Sequence, residues 1–290
     1  MRKRAILLFV CAIFATAAVH ADHYASTYVI PVAGHVRGGN GGTWMSDLVL
    51  RNFSNEPLTV EILVVESGGN TLDNIYPLMS EFVNGAVTVG VNNTVLLEDV
   101  LGGHRGLENI TGALILGANR PFAVTSRAYN SNGGIGQTVP ATRDFLDNSV
   151  GTIDNATVVY IPGIIQNADA RTNIGFVAGA GGSPNVDMVV EVGVRSAAGG
   201  VLGEREFIIP AGRFAHHQFN LRSIVSGNFD IGSVDIRIVE GEGTIVPYAS
   251  VVDNRTGEAA YIMGSFPNST PPAPLAARPS LFRRLLEQTR

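Results

Sequence analysis

The sequence predicts an all-β protein made of two tandem antiparallel sandwiches, and three observations carry that expectation. The first is alternation. Met188, Val190, Val192 and Val194 interleave with Val189, Glu191, Gly193 and Arg195. Leu58, Val60, Ile62 and Val64 interleave with Thr59, Glu61, Leu63 and Val65, and Val234, Ile236 and Ile238 with Asp235, Arg237 and Val239. A period of two sends successive side chains to opposite faces of a strand, so each stretch has one face for a core. The second is punctuation. Such stretches are separated by Gly, Asn and Pro, Gly reaches 34 of 290 residues, and helical periodicity is nearly absent. Short strands between turns of this kind read as a sandwich or barrel. The third is repetition. Tyr28-Val29-Ile30-Pro31 resembles Val159-Tyr160-Ile161-Pro162. Further matches start at Thr43 and Asp169, Leu58 and Met188, Gly112 and Gly232, and Phe122 and Val246, giving offsets of 131, 126, 130, 120 and 124 residues. A period this long means duplicated globular domains, since solenoid repeats run about 20 to 50 residues.

The chain opens with Met1-Arg2-Lys3-Arg4, an apolar run from Ala5 to Val19, and His20-Ala21-Asp22. A basic start, a short apolar run and Val19 and Ala21 before the break predict a secretory signal over residues 1–21, cleaved after Ala21. A membrane-spanning helix usually needs about 20 apolar residues, more than this run offers. Val10 before Cys11 argues against lipidation.

Cleavage would remove the only cysteine, Cys11, and the only lysine, Lys3. The remaining basic residues are all arginine, and the net charge falls from −5 to −8 with the loss of Arg2, Lys3 and Arg4. A disulfide-free body must rest on its apolar core. About 270 residues suffice for that and suggest two domains. We expect them at 22–148 and 149–267, followed by a Pro-rich linker and short amphipathic tail at 268–290. The acidic balance offers no basic stripe for phosphates, so no nucleic-acid partner is expected. No apolar C-terminal span is present, so the mature chain is not expected to be integral to a membrane. The tail, with Leu281, Phe282, Leu285 and Leu286 among arginines, is either frayed or docks to a partner or membrane surface.

Composition also removes chemistries. Without Cys there is no thiol nucleophile or thiolate zinc site. Without Lys there is no Schiff base or phosphate-loop lysine. The Gly-x-Ser-x-Gly elbow and His-Glu-x-x-His are absent. The mature histidines are His23, His35, His104, His216 and His217. His216 and His217 are adjacent, so on a strand they face opposite ways and do not chelate one ion; one ring is expected packed and one exposed. His104 and Arg105 lie in a Gly-rich loop, where a basic pair can grip an anion. Trp44, Tyr129 and Tyr248 read as core or strand-end anchors, with a sugar platform as the alternative. Glu98-Asp99 and Glu240-x-Glu242 are the closest acidic pairs, and the second reads as a hairpin tip. Asn167-x-Asp169-x-x-x-Asn173 is oxygen-rich but lacks the Gly and Glu of a calcium loop. Asn130–Gly134 and Asp253–Gly257 read as equivalent turns, pairing Ser126 with Ser250 and Asn130 with Asn254. Glycosylation sequons begin at Asn52, Asn92, Asn109, Asn155, Asn254 and Asn268.

Trp44-Met45-Ser46-Asp47-Leu48, Arg171-Thr172-Asn173-Ile174-Gly175, Ser126-Arg127-Ala128-Tyr129-Asn130 with Gly136-Gln137-Thr138-Val139-Pro140, and Tyr248-Ala249-Ser250-Val251-Val252-Asp253-Asn254 together resemble a group of uncharacterised exported bacterial proteins with paired Ig-like β-sandwiches. The resemblance spans roughly residues 26–265. It implies the fold and an extracellular or periplasmic address, and no binding residue.

The expected function is therefore that of a non-enzymatic secreted or envelope protein, an interaction, adhesion or spacer module presenting sandwich loops to a protein or glycan, with no cofactor or metal. The candidate binding residues are Trp44, His104, Arg105, His216 and His217. The alternatives are a carboxylate-dependent carbohydrate hydrolase and a periplasmic assembly factor capturing an extended peptide at a sheet edge.

Overall fold

A computed structural model describes residues 25–38, 41–68, 75–77, 86–132, 136–143, 158–180 and 186–265. The expected signal, the junction near 144–157 and the tail at 268–290 lie outside the described residues. What is described is nearly all β, and every strand-to-strand pairing between named strands is antiparallel.

The first half contains β1 (Ala25–Arg37), β2 (Thr43–Arg51), β3 (Leu58–Glu66), β4 (Ile75–Pro77), β5 (Ala86–Val89), β6 (Thr94–Leu97), a single helical turn α1 (Gly102–Arg105), β7 (Ile110–Asn130), β8 (Gly136–Val139) and β9 (Thr142–Arg143). Its nine strands are hydrogen-bonded into one sheet that doubles back on itself. The cause is two long strands that change layers. Strand β7 pairs with β3 up to Ala118 and with β1 up to Phe122; from Ala123 to Asn130 it pairs with β2, with β8 on its other side over Ser126–Tyr129. Pro121, which has no N–H to offer a ladder, sits at that crossing. Strand β1 pairs with β7 until His35 and reaches β2 at Val36.

The second half contains β10 (Val158–Gln166), β11 (Ala170–Ala180), β12 (Met188–Ser196), β13 (Val201–Ile209), β14 (Phe214–Asn220), a 3-10 turn (Leu221–Ser223), β15 (Phe229–Glu240), β16 (Gly243–Asp253) and β17 (Ala259–Met263). They form two four-stranded sheets, β10-β15-β12-β13 and β14-β11-β16-β17. The pairing order of the first half recurs. The order β1-β7-β3-β5 corresponds to β10-β15-β12-β13, and β6-β2-β7-β8 to β14-β11-β16-β17. The long β7 does the work of β15 and β16 together. Glu240 to Gly243 is thus a corner between two sheets and not a hairpin tip, because β15 and β16 belong to different layers. Its two glutamates are exposed, as expected of a solvated turn.

Register corrects the alignment of the halves by one residue. Tyr129 pairs with Gly136, and Val252 with Ala259, each closing a six-residue turn. Ser126 therefore corresponds to Ala249, and Asn130 to Asp253. Both turn residues cap their loops alike. Asn130 Oδ1 accepts from Asn132 N at 2.9 Å, and Asp253 Oδ1 from Arg255 N at 2.7 Å. The slip matters because one residue reverses the face. Ser126 stands opposite the core residue Leu48, whereas Ser250 points away from its core.

The inward faces match the alternation. Leu58, Val60, Ile62 and Val64 sit in one core, and Met188, Val190, Val192 and Val194 in the other, all 1% exposed or less. A third apolar cluster joins the halves. Val29, Leu63, Val65, Ala113 and Ile115, from the outer face of β1, β3 and β7, pack on Val177, Phe214 and Val246 from β11, β14 and β16. The sheet containing β1, β3 and β7 is buried on both faces, which explains why Leu63 and Val65 break the alternation in the apolar direction. Gly175 and Gly179 let this seam close: a Cβ on Gly175 would overlap the Tyr248 ring, and one on Gly179 the Phe214 ring.

Candidate functional site

Strand β1 breaks register between Ile30 and Ala33. Beyond that bulge β1 continues along β7 to His35 and reaches β2 at Val36, and Val32, Ala33, Gly34, Val36, Arg37 and Gly38 line a groove beside the apolar seam. The groove has a volume of about 220 Å³ and is lined by both halves. One wall is the end of β1 with Arg37, Gly38 and Trp44. The opposite wall is the outer face of β11, β14 and β16, with Arg171, Asn173, Gln218 and Tyr248.

Alternation on β11 aims these groups outward: Ile174 and Phe176 enter the core, so Arg171 and Asn173 face the seam. Arg171 is steadied by a neutral partner, its Nη1 donating to Asn254 Oδ1 at 2.7 Å. Asn220 Nδ2 donates to Asn173 Oδ1 at 3.3 Å, and the Tyr248 hydroxyl to Gln218 Oε1 at 3.5 Å. The halves are tied across the groove by Ser250 Oγ donating to Gln137 Oε1 at 3.1 Å. Backbone joins them as well, with Gly68 N donating to the His216 carbonyl at 2.9 Å. Among the described residues, the only ionisable side chains in the lining are Arg37, Arg171 and Tyr248. Burial raises the Tyr248 phenol well above 10, with Tyr261 adding to the shift, so it stays neutral. The lining can hold a ligand by hydrogen bonds and charge. Among the described residues it contains no group that exchanges a proton near neutral pH.

The paired histidines do face opposite ways, but neither ring is exposed. His216 is fully buried at the seam, and its Nε2 lies 2.8 Å from the Tyr248 hydroxyl with the rings 7° from parallel. His217 packs into the second core between Phe176 and Phe207, with centroids 5.2 and 5.0 Å away. The expectation of one exposed ring fails because the outer face of β14 is itself covered by the first half. Burial lowers His216 to about 3, with His217 adding to the shift and the Pro31 carbonyl weakly opposing it. Burial, then Arg205, lowers His217 to about 4. Both rings are neutral packing elements.

A second cluster surrounds His35, whose Nδ1 lies 2.9 and 3.0 Å from the two Asp99 oxygens. Asp99 is left-handed at φ 44°, and its N–H donates to Asp47 Oδ1 at 2.9 Å. Gly102 is required here, since a Cβ would overlap the imidazole. A hydrolytic His–Asp pair needs a hydroxyl within reach of the second nitrogen. His35 makes no hydrogen bond to a hydroxyl among the described residues. The pair ties the start of α1 to β1.

Of the other sequence candidates, Trp44 lines the groove, partly exposed and opposite Asn130 on β7. The side chains of His104 and Arg105 lie outside the described ones; their backbone forms α1. Asn167 Oδ1 accepts from Asp169 N and Ala170 N at 2.9 and 2.8 Å, capping a turn. No group of three or more metal-ligating side chains occurs among the described residues. No helix among them is long and apolar enough to cross a membrane. Sequence reasoning missed Arg37, Gln137, Arg171 and Gln218, and took Asn173 only as part of an oxygen-rich stretch. Trp44, Gln137, Arg171, Asn173, Tyr248 and Ser250 all lie on strands β2, β8, β11 and β16.

No family model matches this chain, and no curated protein matches it. Among solved structures, the chain is similar to one from Broad Bean Stain Virus at 9% identity and TM-score 0.22, covering 88% of this chain and 97% of that one. A chain from the Gt strain of infectious bursal disease virus gives 12% identity and TM-score 0.21, covering 84% and 72%. A β-glucuronidase from Bacteroides uniformis gives 8% identity and TM-score 0.19, covering 77% of this chain and 24% of that one. Likenesses this slight carry no argument about function.

Proposed function

We propose that this chain is an exported, non-enzymatic binding protein, two tandem Ig-like sandwiches that take a ligand in the groove at their seam. The observation that carries the reading is the groove lining: guanidinium, carboxamide and hydroxyl groups around Trp44, with no carboxylate, histidine or cysteine among the described lining residues. Such a lining recognises polar ligands and has neither acid nor base to transform them. The recurring strand order supports two tandem sandwiches, and the basic-apolar start supports export with cleavage after Ala21. The site thereby moves from the loop tips to the seam. Hydrolysis by paired carboxylates has no counterpart in this groove. Peptide capture at a sheet edge is opposed at the exposed edge strand β13, whose middle carries Glu204, Arg205 and Glu206, charges that discourage strand addition.

The test is a glycan and extracellular-protein array probed with residues 22–290, repeated with Trp44→Ala and Asn173→Ala. The reading expects a ligand whose binding both substitutions weaken. A ligand indifferent to both, or turnover of a bound one, overturns it.

A further inference from the structure

We propose that the seam groove binds an acidic saccharide, its anionic group held by Arg37 and Arg171 and its hydroxyls by the surrounding carboxamides. This rests on the groove being the ligand site and adds the class of ligand.

Asn173 Oδ1 accepts one hydrogen bond from Asn220 and Gln137 Oε1 one from Ser250, and Gln218 Oε1 lies 3.5 Å from the Tyr248 hydroxyl, so these carboxamides turn their oxygens toward the protein. Their NH₂ groups have no acceptor among the described residues, so they remain to donate. The two guanidiniums are donors only. Neither pairs with a carboxylate among the described residues; Arg171 is oriented by the neutral Asn254 amide, which leaves its charge intact. The guanidiniums and NH₂ groups thus make the described lining rich in donors, and its charge is positive within a chain of net charge −5.

A donor-rich cationic groove selects a ligand rich in acceptors. Carboxylate and sulfate groups accept two parallel N–H bonds from arginine. The same bias separates a saccharide from an acidic peptide. A sugar hydroxyl can turn to accept from these donors, whereas a peptide N–H only donates. Trp44 adds ring surface against which the apolar face of a pyranose packs. A volume of about 220 Å³ is below the usual range for drug-sized ligands and suits a single sugar ring with its neighbours lying along the open groove.

Isothermal titration of residues 22–290 with trigalacturonate, a sulfated galactan oligosaccharide, neutral cellotriose and hexaglutamate tests this, at low and high salt. We expect binding of at least one acidic oligosaccharide, weakened by salt and by about tenfold or more in Arg37→Gln and in Arg171→Gln, a loss of about 1.4 kcal/mol each. The two acidic sugars distinguish carboxylate from sulfate as the anionic group. Arg37 is exposed at a strand end, so its substitution leaves folding intact. Equal affinity for cellotriose, preference for hexaglutamate, full affinity in both arginine variants, or no acidic sugar bound overturns the proposal. If cellotriose binds and Trp44→Ala removes it, the seam remains the site and only the ligand class falls.

Discussion

His216 and Tyr248 lie nearly parallel across β14 and β16, with Nε2 2.8 Å from the phenol oxygen, both sealed in the seam between the halves. Their burial couples the joint to proton concentration. Folding lowers the pKa of His216 to about 3 and of His217 to about 4, from about 6.5 in the unfolded chain. Below about pH 6 the unfolded chain binds more protons, so stability falls as pH falls. The slope is about 1.4 kcal/mol per pH unit for each ring until its folded pKa is reached. Urea unfolding at pH 7, 6 and 5 should show this loss, and His216→Gln should reduce its slope. A flat profile between pH 7 and 5 would count against buried neutral rings.

Gly175 makes the Tyr248 position possible, because any Cβ there overlaps the ring. Gly175→Ala should displace the phenol and destabilise the protein by about 1–3 kcal/mol, the usual cost of overpacking. Denaturant titration measures it. Gly212→Ala, a turn position with open space around it but φ 68°, separates backbone strain from overlap and should cost less.

Phe214 seals the seam at 8% exposure against residues from both halves. Phe214→Ala should cost about 3–5 kcal/mol and expose the joint to limited proteolysis. Cleavage kinetics unchanged from the parent would mean that the halves do not depend on this contact.

Asn52 opens a glycosylation sequon, yet it is completely buried. Its Nδ2 donates to the carbonyls of Glu56, Val89 and Gly90, and its Oδ1 accepts from Ser54 N and Oγ. Expression in a glycosylating host should leave Asn52 bare by peptide mass analysis. Asn52→Ala strands several buried backbone groups and should cost on the order of 3 kcal/mol.

We also expect no turnover of glycosidic, ester or peptide substrates by residues 22–290. His35–Asp99 is the one pairing to watch. Hydrolysis lost in His35→Ala would turn the cluster at β1 and α1 into an active site.

Strand identity was legible in the sequence because it is local: alternation at Met188–Val194 or Val234–Ile238 needs only the period of a strand. The recurring strand order was legible because the two halves keep the same order of alternating stretches and turns. Register was less so. Ser126 and Ser250 align by letter but face opposite ways, since only the pairing of Tyr129 with Gly136 and Val252 with Ala259 sets the frame. The corner at Gly241 looked like a hairpin because a turn motif does not say which sheet the next strand joins. The seam lay beyond reading altogether. Leu63 and Val65 hinted at a second buried face, but Val177, Phe214 and Val246 meet them from more than a hundred residues away. By itself the sequence determined the strands, their inward faces and the absence of lysine and thiol chemistry beyond the first residues. Tertiary structure alone decided that the halves pack face to face, that His216 is buried, and that residues of both halves line one groove, because each depends on surfaces brought together only when both halves have formed.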